Sequence, residues 1–572
     1  MNTRYTLAIA VIGSTSLNAQ VFDWAGSMGY AGDQVGNAIA VDQSGNVYHT
    51  GTFLNGIDLD PGIGVDEITV AGDQAGYVIK QANDGTYLWG EHFVGNVMPS
   101  QLCVAPNGDV VVVGSYVNAA DLDPGPGTYI MGGEDWPWLF ICRLNPQGEL
   151  LWAKRSGDNN GMWPPSVVID AFDRVHLTGS FVGEIDADPG EGVAEVHLLN
   201  ASQRSTFIIT LDGDGEFIRA VNFAGNGWSH PNAITADAEG RVYVTGSFVY
   251  DLSIQVNGAD LVLTSTEPST PDVFMVKLEA DGTPVGALSF GGPYNDAGNA
   301  IAVNAQQDVF IAGMVEYNAD LDPGAPSFIS TSNRAPFYAK FDMDGNFVQA
   351  ALGEYPGGSD NAAHGIGLDG AGNIYLSGGF NGIDVDFDPG PGTTAYTTNG
   401  NSHDGFLVKY SPTGSYLWSV QLGSLDNSRE WINGLAIDQA GSAYMTGVFS
   451  NTMDLDPGPG SYILTPADVP YSDAFVLKLD PTNLEVRAGS KRDGSVAYPV
   501  PSGSVVHLVM DQPVNNATLR VYDAAGSVIH SRSGISGDRT VVDLSPFTPG
   551  AYRVEVIDAA TGLRVQKAVV KQ

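Results

Sequence analysis

A chain of 572 residues exceeds what one hydrophobic core ordinarily organises, so it is either several domains or an array of repeats. Its 72 glycines and 32 prolines, spread between short apolar runs, exclude a mainly helical protein and point to many turns. The formal charge of −40 argues against nucleic acid or an anionic membrane as partner and leaves cations or a basic partner as its counterparts.

The chain opens "MNTRYTLAIAVIGSTSLNAQ", with Arg4, a short apolar run and a small-residue end. Residues 1–19 are the expected secretory signal peptide, cut near Ala19, and no segment is long enough to be a transmembrane span. With only Cys103 and Cys142, expected on non-adjacent strands, the exported protein is not a disulfide scaffold.

From residue 20 to 486 one pattern recurs. "NVYHTGTF" (46–53) returns as "VVVVGSY" (110–116), "RVHLTGSF" (174–181), "RVYVTGSF" (241–248), "DVFIAGMV" (308–315), "NIYLSGGF" (373–380) and "SAYMTGVF" (442–449). Each copy has a central glycine: Gly51, Gly114, Gly179, Gly246, Gly313, Gly378 and Gly447. Four strand signals make a unit; in the first they are "AIAVD" (38–42), "NVYHTGTF", "YVIKQA" (77–82) and "YLWGEHF" (87–93), here named A to D. Tight Gly/Asp/Asn turns join A to B and C to D, which is the pattern of a β-propeller. The seventh C strand, "AFVLKLD" (474–480), has no D strand after it, whereas "VFDWAGS" (21–27) resembles one. The expected fold is therefore all-β: a seven-bladed β-propeller closed by an N-terminal strand, which leaves no free edge.

Six near-copies of an acidic heptapeptide punctuate the array: "DLDPGIG" (58–64), "DLDPGPG" (121–127 and 454–460), "DADPGEG" (186–192), "DLDPGAP" (320–326) and "DFDPGPG" (386–392). All begin the B–C connection, on the face that also carries the D–A connections. The fourth unit breaks the pattern with "VYDLSIQV". The pairs Asp58 and Asp60, Asp121 and Asp123, Asp186 and Asp188, Asp320 and Asp322, Asp386 and Asp388, Asp454 and Asp456 are candidate oxygen ligands for Ca²⁺. The same residues suit turn formation, with Asp accepting backbone N–H bonds while Pro and Gly fix the bend. "DGDGE" (212–216) suggests an EF-hand loop but falls in a C–D hairpin and is read as a turn.

Trp24, Trp89, Trp152 and Trp418 share one D-strand position and are expected to pack between blades. Trp136, Trp138, Trp163, Trp228 and Trp431, with Tyr30, Tyr294 and Tyr355, are expected in long connections, where they suit a glycan or a protein ligand or cover blade edges. At the start of strand A the units read Asn37, Ser100, Pro165, Asn232, Asn299, His364 and Asn433, a polar ring that could hold a small ligand or channel water. No linear catalytic motif is present. His364 and His230 are the first candidates for a general base, and each also suits a surface or channel position.

The repeat features "DxDPG" and "FVxKLD", as in "AFVLKLD", resemble the SBBP-type β-propeller repeat over roughly residues 21–486. After a linker at 487–495, residues 496–572 form a small β-rich module, expected as a β-sandwich. Its "YPVP" (498–501), "VYDAAG" (521–526), "DLSPFTPGAY" (543–552) and terminal "KAVVK" (567–571) resemble the C-terminal sorting domain of type IX secretion, with Val500 where Asn is usual. That resemblance implies the type IX secretion machinery as partner, periplasmic transit, and release or attachment at the outer-membrane cell surface. The expected role is a secreted or cell-surface binding protein. The alternatives are an extracellular polymer-degrading hydrolase or lyase with its site in the propeller funnel, and a structural surface-layer protein.

Overall fold

The computed structural model describes residues 21–62, 64–132, 137–156, 163–190, 192–197, 204–223, 225–256, 259–324, 328–332, 334–353, 361–390, 394–398, 403–423, 429–458, 461–480, 496–498, 505–522, 528–548, 550–557 and 564–571. The chain divides into two compact units, at Thr482 and Asn483. The expected signal peptide and linker lie outside the described residues. Among the described residues no helix is long and apolar enough to cross a membrane.

The first unit contains seven large antiparallel sheets, each with its strands in A-B-C-D order. Blade 1 is Gln34–Val41, Val47–Asp58, Glu67–Gln81 and Tyr87–His92. Blade 2 is Val94–Val104, Val110–Asp121, Trp138–Leu144 and Leu150–Ser156. Blade 3 is Trp163–Ile169, Val175–Val182, Arg204–Leu211 and Phe217–Phe223. Blade 4 is Ser229–Ala236, Val242–Phe248, Asp272–Leu278 and Pro284–Phe290. Blade 5 is Ala297–Val303, Val309–Val315, Ala335–Phe341 and Phe347–Leu352. Blade 6 is Ala362–Leu368, Ile374–Phe380, Asp404–Tyr410 and Tyr416–Leu422.

Blade 7 is composite. Its A, B and C strands are Glu430–Ile437, Ala443–Phe449 and Asp473–Asp480, and its outer strand is Val21–Met28, paired antiparallel from Val21 against Asp480 to Met28 against Ala474. The expected ring closure is therefore present. Cys103 on an A strand and Cys142 on a C strand are both free thiols.

The A strands contact one another around the ring and form its inner wall. The B strands are buried on both faces, which is why they read as continuous apolar runs such as Val110–Val113. Strand A carries a β-bulge in every blade, between Gly36 and Ala38 in blade 1 and at the matching place in the other six. The bulge presses the A-strand backbone against strand B. A Cβ on Gly51, Gly114, Gly246, Gly313, Gly378 or Gly447 would collide with the A-strand carbonyl facing it, of Val35, Met98, His230, Ala297, Ala362 or Trp431. This close approach is the physical reason for the central glycine of the repeat.

The second unit is a five-stranded antiparallel sheet of Val496–Tyr498, Val505–Tyr522, Val528–Asp543, Gly550–Ile557 and Arg564–Lys571. Repeated register shifts along Val505–Tyr522 bend it over a core that includes Leu508, Leu519, Val521, Val554 and Val556, a sandwich-like arrangement. Glu555 is fully buried there, with the Tyr522 hydroxyl donating to its carboxylate at 2.6 Å.

Candidate functional site

The bulge residue of strand A is the one that sequence reading placed in a polar ring, and the bulge turns it toward the next blade. Asn37 Nδ2 donates to Pro99 O at 2.7 Å, Asn232 Nδ2 to Gly298 O at 2.9 Å and Asn299 Nδ2 to Ala363 O at 3.0 Å. Asn433 Nδ2 donates to Gly36 O at 2.9 Å across the closing seam. His364 Nδ1 lies 3.4 Å from Ile432 O in the same relation. Each acceptor immediately precedes the next blade's bulge residue. In blade 2 Ser100 Oγ donates to Val113 O of its own blade at 3.2 Å, and in blade 3 the position is a proline, Pro165, whose side chain carries no donor.

Asn232, Asn299, His364 and Asn433 line a central cavity of about 210 Å³. Two residues further along each A strand stands an aliphatic side chain: Ile39, Leu102, Val167, Ile234, Ile301, Ile366 and Leu435 all line the same space. Each of these asparagine amides commits one N–H to the fold, so the ring acts as an inter-blade fastening. Burial holds His364 and His230 below the ordinary imidazole pKa, so both are neutral near pH 7. His364 stacks on Trp431 with centroids 5.6 Å apart, His403 stacks on the same indole at 4.9 Å, and His230 Nδ1 lies 2.9 Å from Pro231 O.

The six DxDPG loops share one geometry. Oδ1 of the first aspartate (Asp58, Asp121, Asp186, Asp320, Asp386, Asp454) accepts the backbone N–H two residues on at 3.0–3.1 Å. The same atom accepts the N–H eight residues on at 2.7–3.0 Å. Oδ1 of the second aspartate (Asp60, Asp123, Asp188, Asp322, Asp388, Asp456) accepts from the motif glycine at 2.8–3.0 Å. Between them Leu59, Leu122, Ala187, Leu321, Phe387 and Leu455 are buried anchors. The final glycine packs on the second carboxylate, because a Cβ at Gly64, Gly127 or Gly192 would strike Oδ2 of Asp60, Asp123 or Asp188. Among the described residues no group of three or more His, Cys, Asp or Glu side chains could hold a metal ion. In "DGDGE", Asp212 Oδ1 accepts the N–H groups of Asp214 and Glu216 at 3.0 and 2.9 Å, an ordinary Asx-type turn.

The aromatics divide differently from expectation. Trp138, Trp163 and Trp431 belong to strands rather than connections, at the starts of a C strand and two A strands. Arg155 lies 4.6 Å over the Trp138 ring, Trp228 is half-buried just before strand A of blade 4, and the Tyr30 ring packs on Gly56. Trp136 and Tyr355 lie outside the described residues. Tyr294 is 49% exposed, and the sequence reading missed its companions Tyr250 and Tyr317, 47% and 48% exposed. Tyr250 and Tyr317 share a signal: each stands four residues after the central glycine of its unit, Gly246 and Gly313. Tyr250 holds φ at +58°, in the left-handed region.

On the opposite face the D-strand tryptophans do join blades. Trp24 Nε1 donates to Asn83 O at 2.9 Å, Trp89 Nε1 to Pro146 O at 3.0 Å and Trp152 Nε1 to Gly213 O at 2.9 Å, each acceptor lying in the next blade's C–D turn.

Residues 496–571 match the family model described as a secretion system C-terminal sorting domain. An uncharacterised WD repeat-containing protein of Acanthamoeba polyphaga mimivirus is 21% identical over 508 residues, 75% of this chain. The chain spans about a third of that relative, 36% of its length. Among solved structures, PorZ, a surface component of the type IX secretion system of Porphyromonas gingivalis, is aligned over 96% of this chain and all of its own, with 10% identity and a TM-score of 0.19. A mutant Synechocystis apocarotenoid oxygenase is aligned over 82% of this chain and 95% of its own, with 11% identity and a TM-score of 0.31. At those TM-scores neither likeness bears on fold or function. The fold and the tail together describe a secreted or cell-surface β-propeller carrying a type IX sorting domain.

Proposed function

We propose that the propeller is an extracellular binding module whose long-connection face takes a glycan or a protein ligand. The observation that carries this reading is the trio Tyr250, Tyr294 and Tyr317, each about half exposed on three connections of blades 4 and 5. Gly291 and Asp320 exchange backbone hydrogen bonds of 3.2 and 2.9 Å, which ties the connection bearing Tyr294 to the one bearing Tyr317. A phenol ring held half out of the surface offers a flat apolar face and a polar tip, the combination favoured in recognition surfaces. In blade 4 the B–C hairpin, Asp251–Val256 with Ala259–Thr264, carries no DxDPG sequence, so this sector differs from the other six blades.

The test is a glycan array and a surface-protein capture screen, run with the parent and a Tyr294→Ala/Tyr317→Ala variant. Loss of at least tenfold in affinity with unchanged melting supports the reading. Full binding by the variant places the ligand elsewhere. Turnover of an extracellular polymer, abolished by His364→Ala or His230→Ala, would favour the hydrolase or lyase reading. Export through the type IX machinery is tested by deleting residues 496–572, which should retain the propeller in the periplasm.

A further inference from the structure

In three blades the inter-blade joint on the short-turn face is built from three parts, and among the described residues the blade 4 joint has only two of them. In blades 7, 1 and 2 a C-strand cation pairs in register with a D-strand tryptophan: Lys478 with Trp24, Lys80 with Trp89 and Arg143 with Trp152. Cation and indole then donate to one carbonyl of the next blade's C–D turn. Lys478 Nζ reaches Asn83 O at 3.2 Å, Lys80 Nζ reaches Pro146 O at 3.0 Å and Arg143 Nη1 reaches Gly213 O at 3.0 Å, the same three oxygens that the indoles use. The indole also lies against the turn glycine, at Gly85, Gly148 and Gly215. Blades 3 and 5 substitute other donors: Arg219 Nη2 bonds Ala280 O at 3.0 Å and Gln349 Nε2 bonds Pro412 O at 3.3 Å.

Blade 4 has the cation and the turn without the third part. Lys277 pairs with Gly286, and Lys277 Nζ donates to Met343 O at 3.0 Å. Nothing lies within 4 Å of where a Gly286 Cβ would stand. The space is a cavity of about 320 Å³, lined by Tyr243, Met275, Leu288 and Val309 together with the acidic Glu279, Asp342 and Asp344, and it reaches Met343 and Gly345. A carbonyl accepts two hydrogen bonds, and the lysine supplies one. The volume is at the small end of ligand pockets, where one ring system fits.

We infer that this cavity between blades 4 and 5 is a binding site for an indole group supplied from outside the blade, which completes the joint as Trp24, Trp89 and Trp152 complete theirs. The ring lies on Gly345 and its N–H donates to Met343 O. The same chemistry comes either from a free indole compound or from a tryptophan side chain of another polypeptide. The site is on the face opposite Tyr294 and does not depend on the function proposed above.

The test uses the full chain and two probes, 5-fluoroindole and an N-acetylated, amidated Gly-Trp-Gly peptide, followed by calorimetry and fluorine NMR. Saturable binding of either probe is expected in the parent. Gly286→Trp should fill the cavity, raise the melting temperature and weaken binding at least tenfold, and its melting curve shows that it has folded. Binding of both probes identifies the free ring as sufficient; binding of the peptide alone identifies a polypeptide side chain as the source. No binding of either probe at millimolar concentration overturns the inference, as does binding that survives Gly286→Trp.

Discussion

Trp89 and Pro146 are joined across the seam between blades 1 and 2 by a 3.0 Å hydrogen bond from the indole Nε1 to the proline carbonyl. Proline brings no N–H to this turn, and here its carbonyl receives both the indole and Lys80. Trp89→Phe keeps most of the ring and removes the donor, so it should cost about 1 kcal/mol of stability. Denaturant melts of the two proteins check this.

The DxDPG geometry separates two substitutions at one atom. Asp121→Ala leaves the N–H groups of Asp123 and Tyr129 without their acceptor and should cost about 1–3 kcal/mol. Asp121→Asn retains an oxygen at that position and should cost less. Because Oδ1 of both aspartates already accepts main-chain N–H, added Ca²⁺ is expected to leave the melting temperature unchanged after chelator treatment. A rise of several degrees with stoichiometric uptake would show instead that the remaining oxygens recruit the ion.

Four buried carboxyls give a pH dependence of fixed sign. Burial pushes Asp272, Asp404 and Asp473 up to about 6 and Asp296 up to about 8. The folded state thus holds protons that the unfolded chain releases near pH 4. Their contribution is present in full below the ordinary carboxylate range and is lost as pH rises through 6 to 8. Asp296→Asn sacrifices one of the bonds from Gly292 and Glu316 but should flatten the fall in melting temperature between pH 6.5 and 8.5. An unchanged slope would remove Asp296 as its source.

Removing residues 21–28 should expose the Asp473–Asp480 edge of blade 7. The expected outcome is a lower melting temperature together with self-association, read by light scattering. Supplying the strand as a free peptide should reverse both.

The blade count, the strand order and the closing strand were all legible in the sequence because period-2 patterning and a spaced glycine survive in every unit. What the glycine does was not legible: Gly51 answers the bulge at Asn37, and a bulge leaves no mark in composition. The polar ring was legible as residue types, but its hydrogen bonds run to backbone carbonyls 62–68 residues away, and 397 at the closing seam, beyond any local pattern. Trp431 was misplaced because strand A begins earlier than the apolar run suggests, at Glu430. The cavity at Gly286 appears only when all seven D strands are set in register with their C strands.

The strand Val21–Met28 has its partner in Asp473–Asp480, at the far end of the propeller. In order of synthesis the first strand is therefore the last to find its place. Until residue 480 has emerged, the growing array has two open ends, and truncation anywhere before it yields an unclosed product. A factor that shields those ends during transit would act on a transient form of the protein, and its effect would show in yield rather than in the stability of the finished ring.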